Sequence, residues 1–265
     1  MRPDLGPSAT ERGADDPAPA GRLHVGSLWR YPVKSLRGEE LTTAVVDADG
    51  VRGDRLVHVR GPRGLLTGRT RHALLTIQGE TGPSGEPLVA GSRWDTPAAA
   101  ATIGAAAGAG ATLVRNPARD RFDVLPLLVA TAVEATRMGM DLRRLRPNLV
   151  IAGAAPAEER DWPGRALAIG AVLIGVHSLR ARCIVTTVDP DSGAQDLDVL
   201  RRIRAELDGL LALSCWVIAG GVIRVGDPVE VVPVPQAAPA PEPGGWVTGR
   251  PYPYVGSSLP ETRRG

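Results

Sequence analysis

Thr42-Thr43-Ala44-Val45-Val46-Asp47-Ala48-Asp49-Gly50-Val51-Arg52-Gly53-Asp54-Arg55-Leu56-Val57-His58-Val59-Arg60 is the run that sets the fold class. Thr42 to Asp47 reads as a strand, Asp49-Gly50 as a turn, and Arg55 to Arg60 as the next strand, carried by Leu56, Val57 and Val59. Upstream, His24 to Tyr31 is a further strand stopped by Pro32; downstream, Leu65 to Thr67 and Ala73 to Gln78 read as two more. Short strands punctuated by Gly and Pro predict an antiparallel sheet or barrel. Gly79 to Gly110 is rich in Gly and Ala and yields no assignment.

A second unit starts near Leu113. Leu127 to Met138 reads as a helix, Asn148 to Ala152 as a strand, and Ala166 to Val176 as a strand pair broken at Gly170. Leu197 to Leu211 is a helix by period, since Leu197, Leu200, Ile203 and Leu207 share one face. Cys215 to Ile218, Val222 to Val225 and Val229 to Val232 close the unit as strands. The expected fold class is mainly β (α+β). A β-barrel-like domain over residues 22–112 precedes a second β-barrel domain with a few helices over 113–232. Residues 1–21 and the Pro-rich 233–265 read as disordered tails.

Composition excludes several function classes. With 43% hydrophobic content but 3% aromatics and one Phe, the core must come from Val, Leu, Ile and Ala. Thirty-one basic residues face 29 acidic ones, without a basic run interleaved with aromatics, so nucleic acid is not an expected partner. No stretch reaches the roughly 20 apolar residues of a membrane helix. The start is polar rather than signal-like, so a soluble cytoplasmic chain is expected, with Cys183 and Cys215 as free thiols. Thirty of the 31 basic residues are Arg, and Lys34 is the single lysine. Arg and Lys are interchangeable as solvated charges but not where a compact ammonium is needed, which draws attention to position 34.

Chemistry concentrates in Arg182-Cys183-Ile184-Val185-Thr186-Thr187-Val188-Asp189-Pro190-Asp191-Ser192-Gly193. Ile184 to Val188 reads as a strand, which puts Cys183 at its entry, just after Arg180 and Arg182. Cationic neighbours favour thiolates, the form that binds metals or attacks substrates. A small buried hydrophobe is the alternative for Cys183 and the reading for Cys215. No CxxC or HExxH occurs, and His24, His58, His72 and His177 are scattered, so a Cys/His zinc site has no sequence support. Lys34-Ser35, Asp54-Arg55, Arg69, Arg144, Arg146-Pro147-Asn148 and Arg182 are anion-binding candidates suited to a phosphorylated, amide-rich ligand, or else solvated charges.

These motifs together resemble the MOSC (molybdenum cofactor sulfurase C-terminal) domain family with its N-terminal β-barrel domain. Tyr31-Pro32-Val33-Lys34-Ser35, Gly53-Asp54-Arg55 and Leu66-Thr67-Gly68-Arg69 are similar to the landmarks of the first domain. Leu145-Arg146-Pro147-Asn148, the Arg182 to Gly193 segment and Val225-Gly226-Asp227-Pro228-Val229 are similar to those of the second. The resemblance extends from Leu23 to about Val232 and is strongest to the amidoxime-reducing branch, which reduces N-hydroxylated compounds.

It implies a molybdenum cofactor with Cys183 as metal ligand, and a pterin and phosphate held by Lys34, Ser35, Arg55, Arg146, Asn148 and Arg182. It also implies a small-molecule substrate and electrons from a separate ferredoxin- or flavoprotein-type donor, since no cysteine cluster of an iron-sulfur domain is present. Nothing resembles a pyridoxal phosphate domain. Two departures stand out. Asp123-Val124-Leu125-Pro126 replaces a Ser or Thr pair, leaving backbone groups as the expected contacts there, and Ser214 stands near a frequent tyrosine. The competing readings are a cofactor or sulfur carrier without turnover and a Cys183-dependent hydrolase.

Overall fold

The computed structural model describes residues 21–118 and 121–241. Residues 1–20 and 242–265, where most of the two expected tails fall, lie outside the described residues. In the first half the strands are β1 (His24–Arg30), β2 (Glu39–Leu41), β3 (Thr43–Asp47), β4 (Gly50–Val51), β5 (Val57–Gly61), β6 (Gly64–Leu66), β7 (Gly79–Thr81), β8 (Pro87–Val89), β9 (Ser92–Arg93) and, after helix α1 (Pro97–Ala107), β10 (Thr112–Arg115). The second half runs β11 (Leu127–Thr131), α2 (Ala132–Arg137), β12 (Leu149–Ala152), β13 (Arg165–Ile169), β14 (Val172–Ala181), α3 (Leu197–Leu207), β15 (Leu210–Ala219), β16 (Gly221–Arg224) and β17 (Glu230–Pro233). The fold is mainly β with few helices, as the strand pattern implies.

An eight-stranded sheet in the order β17-β13-β14-β15-β11-β12-β1-β2 forms the frame, and three three-stranded sheets surround it. β1 and β2 join this sheet through β12, while β16 pairs with β3, so the two halves share sheets. The frame's core is Val, Leu and Ile with Trp162, and a second core under β5 and α1 holds Val33, Leu36, Val57, Val59 and Ile103. At the β3–β4 turn, Gly50 has φ +88 and its Cα approaches the chain so closely that a Cβ would lie 2.7 Å from the Pro126 carbonyl oxygen. Only glycine fits there, and the contact docks the segment leading into β11.

Several expectations need correction. Leu127 to Thr131 is a strand and only Ala132–Arg137 is helical. β11 lies mid-sheet, parallel to β12 and antiparallel to β15, and a strand buried on both faces reads as a continuous apolar run. Ala73 to Gln78 is not a strand; His72–Thr76 forms a 3-10 turn over buried Leu74 and Leu75. Ile184–Thr187 is likewise a 3-10 turn, because the Thr186 and Thr187 hydroxyls donate to the Cys183 and Ile184 carbonyls at 2.8 and 2.7 Å. Such local bonds outcompete β-propensity. The helix expected to reach Leu211 ends at Leu207, where Asp208 (φ 54) and Gly209 (φ 76) turn left-handed. The unassigned Gly79 to Gly110 stretch holds β7 to β9 and α1, whose Ala-rich run starts from Pro97 behind a Thr96 N-cap. Of the expected C-terminal tail, Pro233 completes β17, and Pro239 accepts a hydrogen bond from the Trp216 indole at 3.0 Å. Among the described residues no helix is long and apolar enough to cross a membrane.

Candidate functional site

Six segments converge on one cavity of about 140 Å³: the turn after β1, the β4–β5 turn, the loop after β6, the approach to β11, the 3-10 segment before β12, and the end of β14 with the turn that follows it. Its walls hold Lys34, Ser35, Arg55, Thr67, Arg69, Asp123, Arg146, Arg180, Arg182 and Cys183. The structure thus brings six of the seven sequence-derived site residues together. Asn148 is the exception: fully buried behind Arg55, its side chain accepts from Leu128 N (3.2 Å) and Arg55 (3.4 Å) and donates to the Trp29 carbonyl (3.3 Å).

The backbone is unusual here. Ser35 (φ 71), Arg55 (φ 55) and Arg146 (φ 60) are left-handed without being glycine, a conformation that costs of order 1–3 kcal/mol each and gathers at ligand sites. Arg55 and Arg146 have local causes. Arg55 closes a turn with its N–H on the Tyr31 carbonyl at 2.7 Å. Arg146 caps the 3-10 helix Leu142–Leu145 and precedes Pro147, whose ring disfavours a right-handed helical residue before it.

Electrostatically the cavity has too much positive charge for its own acids. Six cations line it, and Asp123 is the one carboxylate among them. Asp123 Oδ1 takes the Lys34 ammonium at 2.7 Å, Oδ2 takes Arg69 at 2.8 Å, and Arg180 stands 3.7 Å away. Arg55 leans on buried Asp54. Burial pulls the Arg146 and Arg182 guanidinium groups down to about 10. Arg146 Nη2 and Arg182 Nε are buried with no hydrogen-bond partner. Buried charges without acceptors are costly, so an anion with several oxygens is what this wall lacks.

Cys183 lies on the same wall, half-buried, among Arg69, Arg180 and Arg182. Among the described residues no group of three His, Cys, Asp or Glu side chains is placed to hold a metal ion. A metal seated on Cys183 would have to bring its other ligands with it. Cys215 is sealed in the sheet core and burial pushes its thiol up.

Three contributors were not among the residues assigned to the site from sequence. Arg69 was legible only as one anion-binding candidate among many, and its place beside the sulfur comes from the fold. Arg180 reads as a neighbour in sequence, yet it faces Asp123. Asp123 brings a carboxylate that pairs with Lys34 and Arg69.

Lys34 Nζ also donates to the Arg121 carbonyl at 2.8 Å, and the side chain is buried. Burial lowers its value despite the attraction of Asp123. A longer, planar guanidinium would overfill the space. Lys34→Arg is expected to cost about 1–3 kcal/mol, read as a drop of roughly 3–10 °C in thermal unfolding. An unchanged melting temperature would show that position 34 takes either cation.

Family models match most of this architecture: the MOSC domain over residues 128–230 and the MOSC N-terminal beta barrel domain over residues 22–101. The chain is similar to mitochondrial amidoxime reducing component 2 of Homo sapiens, 36% identical over 126 residues, 40% of this chain and 37% of that one. It is also similar to mitochondrial amidoxime-reducing component 1 of Mus musculus, 33% identical over 134 residues, 42% and 37% of the two chains. The chain therefore matches a little over a third of the length of these curated relatives. Among solved structures, the YuaD protein from Bacillus subtilis aligns over 80% of this chain and 97% of its own with 14% identity and a TM-score of 0.42.

Proposed function

The chain belongs to the MOSC family, a MOSC domain behind a MOSC N-terminal beta barrel domain, and on that premise we propose that it binds a molybdenum cofactor and works as an oxidoreductase on N-hydroxylated or N-oxide small molecules. The observation that carries this reading is a thiol, Cys183, set on a wall of cations in which buried Arg146 Nη2 and Arg182 Nε lack acceptors. The donor set fits the cofactor: a soft thiolate for molybdenum, and guanidinium forks for a phosphate.

In this proposal Cys183 ligates the metal, while Arg55, Arg146 and Arg182, with Ser35, hold the phosphate and pterin. Lys34 contributes with Asp123 as its counter-charge, and Asn148 acts by holding Arg55 in place. When bound, the cofactor supplies the two-electron oxygen-transfer chemistry. The protein orients it, neutralises its charge, and sets the Arg69 guanidinium on the same wall as the ligating sulfur. Electrons come from a separate ferredoxin- or flavoprotein-type donor. Two free thiols suit a reducing cytoplasm.

The test is product formed per molybdenum with reduced viologen and benzamidoxime. Values well above one equivalent are expected. A yield that stops at one, with the cofactor instead passing to an apo-molybdoenzyme, would make the chain a carrier.

A further inference from the structure

Tyr31 directly follows β1, and the residue is 2% exposed. Its backbone is tied to the site: Tyr31 N–H donates to Asp54 Oδ1 at 2.7 Å, and its carbonyl accepts from Arg55 N at 2.7 Å. Gly38 pins the ring, since a Cβ at that position would lie 2.5 Å from Tyr31 Cδ1. Over this immobilised ring sit two guanidinium groups, Arg146 at 4.3 Å and Arg55 at 5.0 Å from the centroid. Both belong to the cavity wall and both stand on left-handed backbone.

The hydroxyl does not account for the residue, because the buried Tyr31 oxygen has no hydrogen-bond partner. The face of the ring is what the structure uses. An aromatic face attracts a cation through its quadrupole, most strongly when water is excluded. A guanidinium held over a ring face keeps N–H donors for an oxyanion besides those already used, which for Arg55 are the Nη1 bonds to Asp54 and Asn148. Two like charges crowded on one wall would otherwise turn apart, and a shared ring offsets part of their repulsion.

We propose that Tyr31 is a positioning residue whose ring holds Arg55 and Arg146 with their donors directed at a phosphate-class oxyanion in the cavity. This rests on the reading of the cavity as an anion seat, and it holds whether or not the anion is carried by a molybdenum cofactor.

The experiment titrates pyrophosphate into the full-length cofactor-free protein by calorimetry. Tyr31→Phe removes only the unbonded hydroxyl and is expected to fold and to bind within about twofold of wild type. Replacing that Phe with 4-fluoro-, 3,5-difluoro- and 3,4,5-trifluorophenylalanine nearly preserves ring shape while draining the negative face. Affinity is expected to fall stepwise, by about tenfold across the series. A ring that acted only as packing would give a flat series, which overturns the proposal, as would a wild type that fails to bind pyrophosphate. Molybdenum content of protein made in a cofactor-competent host reports separately on the function. Normal loading with a flat series sinks the role of Tyr31 alone. Absent loading with a steep series sinks the molybdenum reading and upholds Tyr31.

Discussion

Cys183→Ala, produced in a host that makes the molybdenum cofactor, is expected to lose turnover by roughly a hundredfold or more and most of its bound molybdenum, since even groups that merely support a metal ligand are worth 10–100-fold. Cys215→Ala is expected to keep both. The contrast follows from placement rather than from chemistry, because both side chains are thiols. Cys183 is half-buried on the cavity wall beside Arg69, Arg180 and Arg182. Cys215 sits 0% exposed in the middle of β15 among Leu127, Val176 and Leu213, where burial favours the neutral thiol. Trimming its sulfur leaves a small cavity that lowers stability by about 1 kcal/mol without touching the site. Metal analysis and turnover on the two purified variants decide the matter. Equal molybdenum and equal rates in both would remove Cys183 as a ligand.

How much of this was legible in the sequence depended on the range of the forces involved. Asp49-Gly50 and the Val-rich runs around it specify β3 and β5 locally, and the period of Leu197, Leu200, Ile203 and Leu207 specifies α3. Leu127 to Thr131 was illegible because a strand buried on both faces carries no alternation, so only its neighbours β12 and β15 reveal it. Ile184 to Thr187 misleads in the other direction, with strand-forming side chains folded back by two hydroxyls. At the site, Lys34, Ser35, Arg55, Arg146, Arg182 and Cys183 carry recognisable neighbours, and they fall on one wall. Asp123 does not. Its partner Lys34 is 89 residues away and Arg69 is 54 away, and no local pattern marks a single carboxylate as the hub of three cations.

Asp123→Asn carries the last expectation, in which stability and anion binding move in opposite directions. For Asp123 the attraction of Lys34, Arg69 and Arg180 outweighs burial and holds the carboxyl far below the usual range; for Lys34 burial outweighs that one partner. Asparagine keeps the shape and an acceptor toward Lys34 but deletes the charge. Removing one member of a buried pair costs about 3–5 kcal/mol when it is fully enclosed. Asp123 is 24% exposed, so about 3 kcal/mol is expected, or roughly 6–12 °C in the melting temperature of the cofactor-free protein. The same change removes the one negative charge from the cavity lining, and pyrophosphate should bind roughly tenfold tighter. The pH dependence has a definite sign. A carboxyl depressed on folding stabilises above its unfolded value, near 4, and that stability is lost as pH falls through the folded value. The melting-temperature gap between wild type and Asp123→Asn should therefore be level from about pH 5 to pH 8 and narrow only in stronger acid. A gap that instead closes between pH 8 and pH 6, or a variant that binds pyrophosphate more weakly than wild type, would show that Asp123 is not the counter-charge of this cavity.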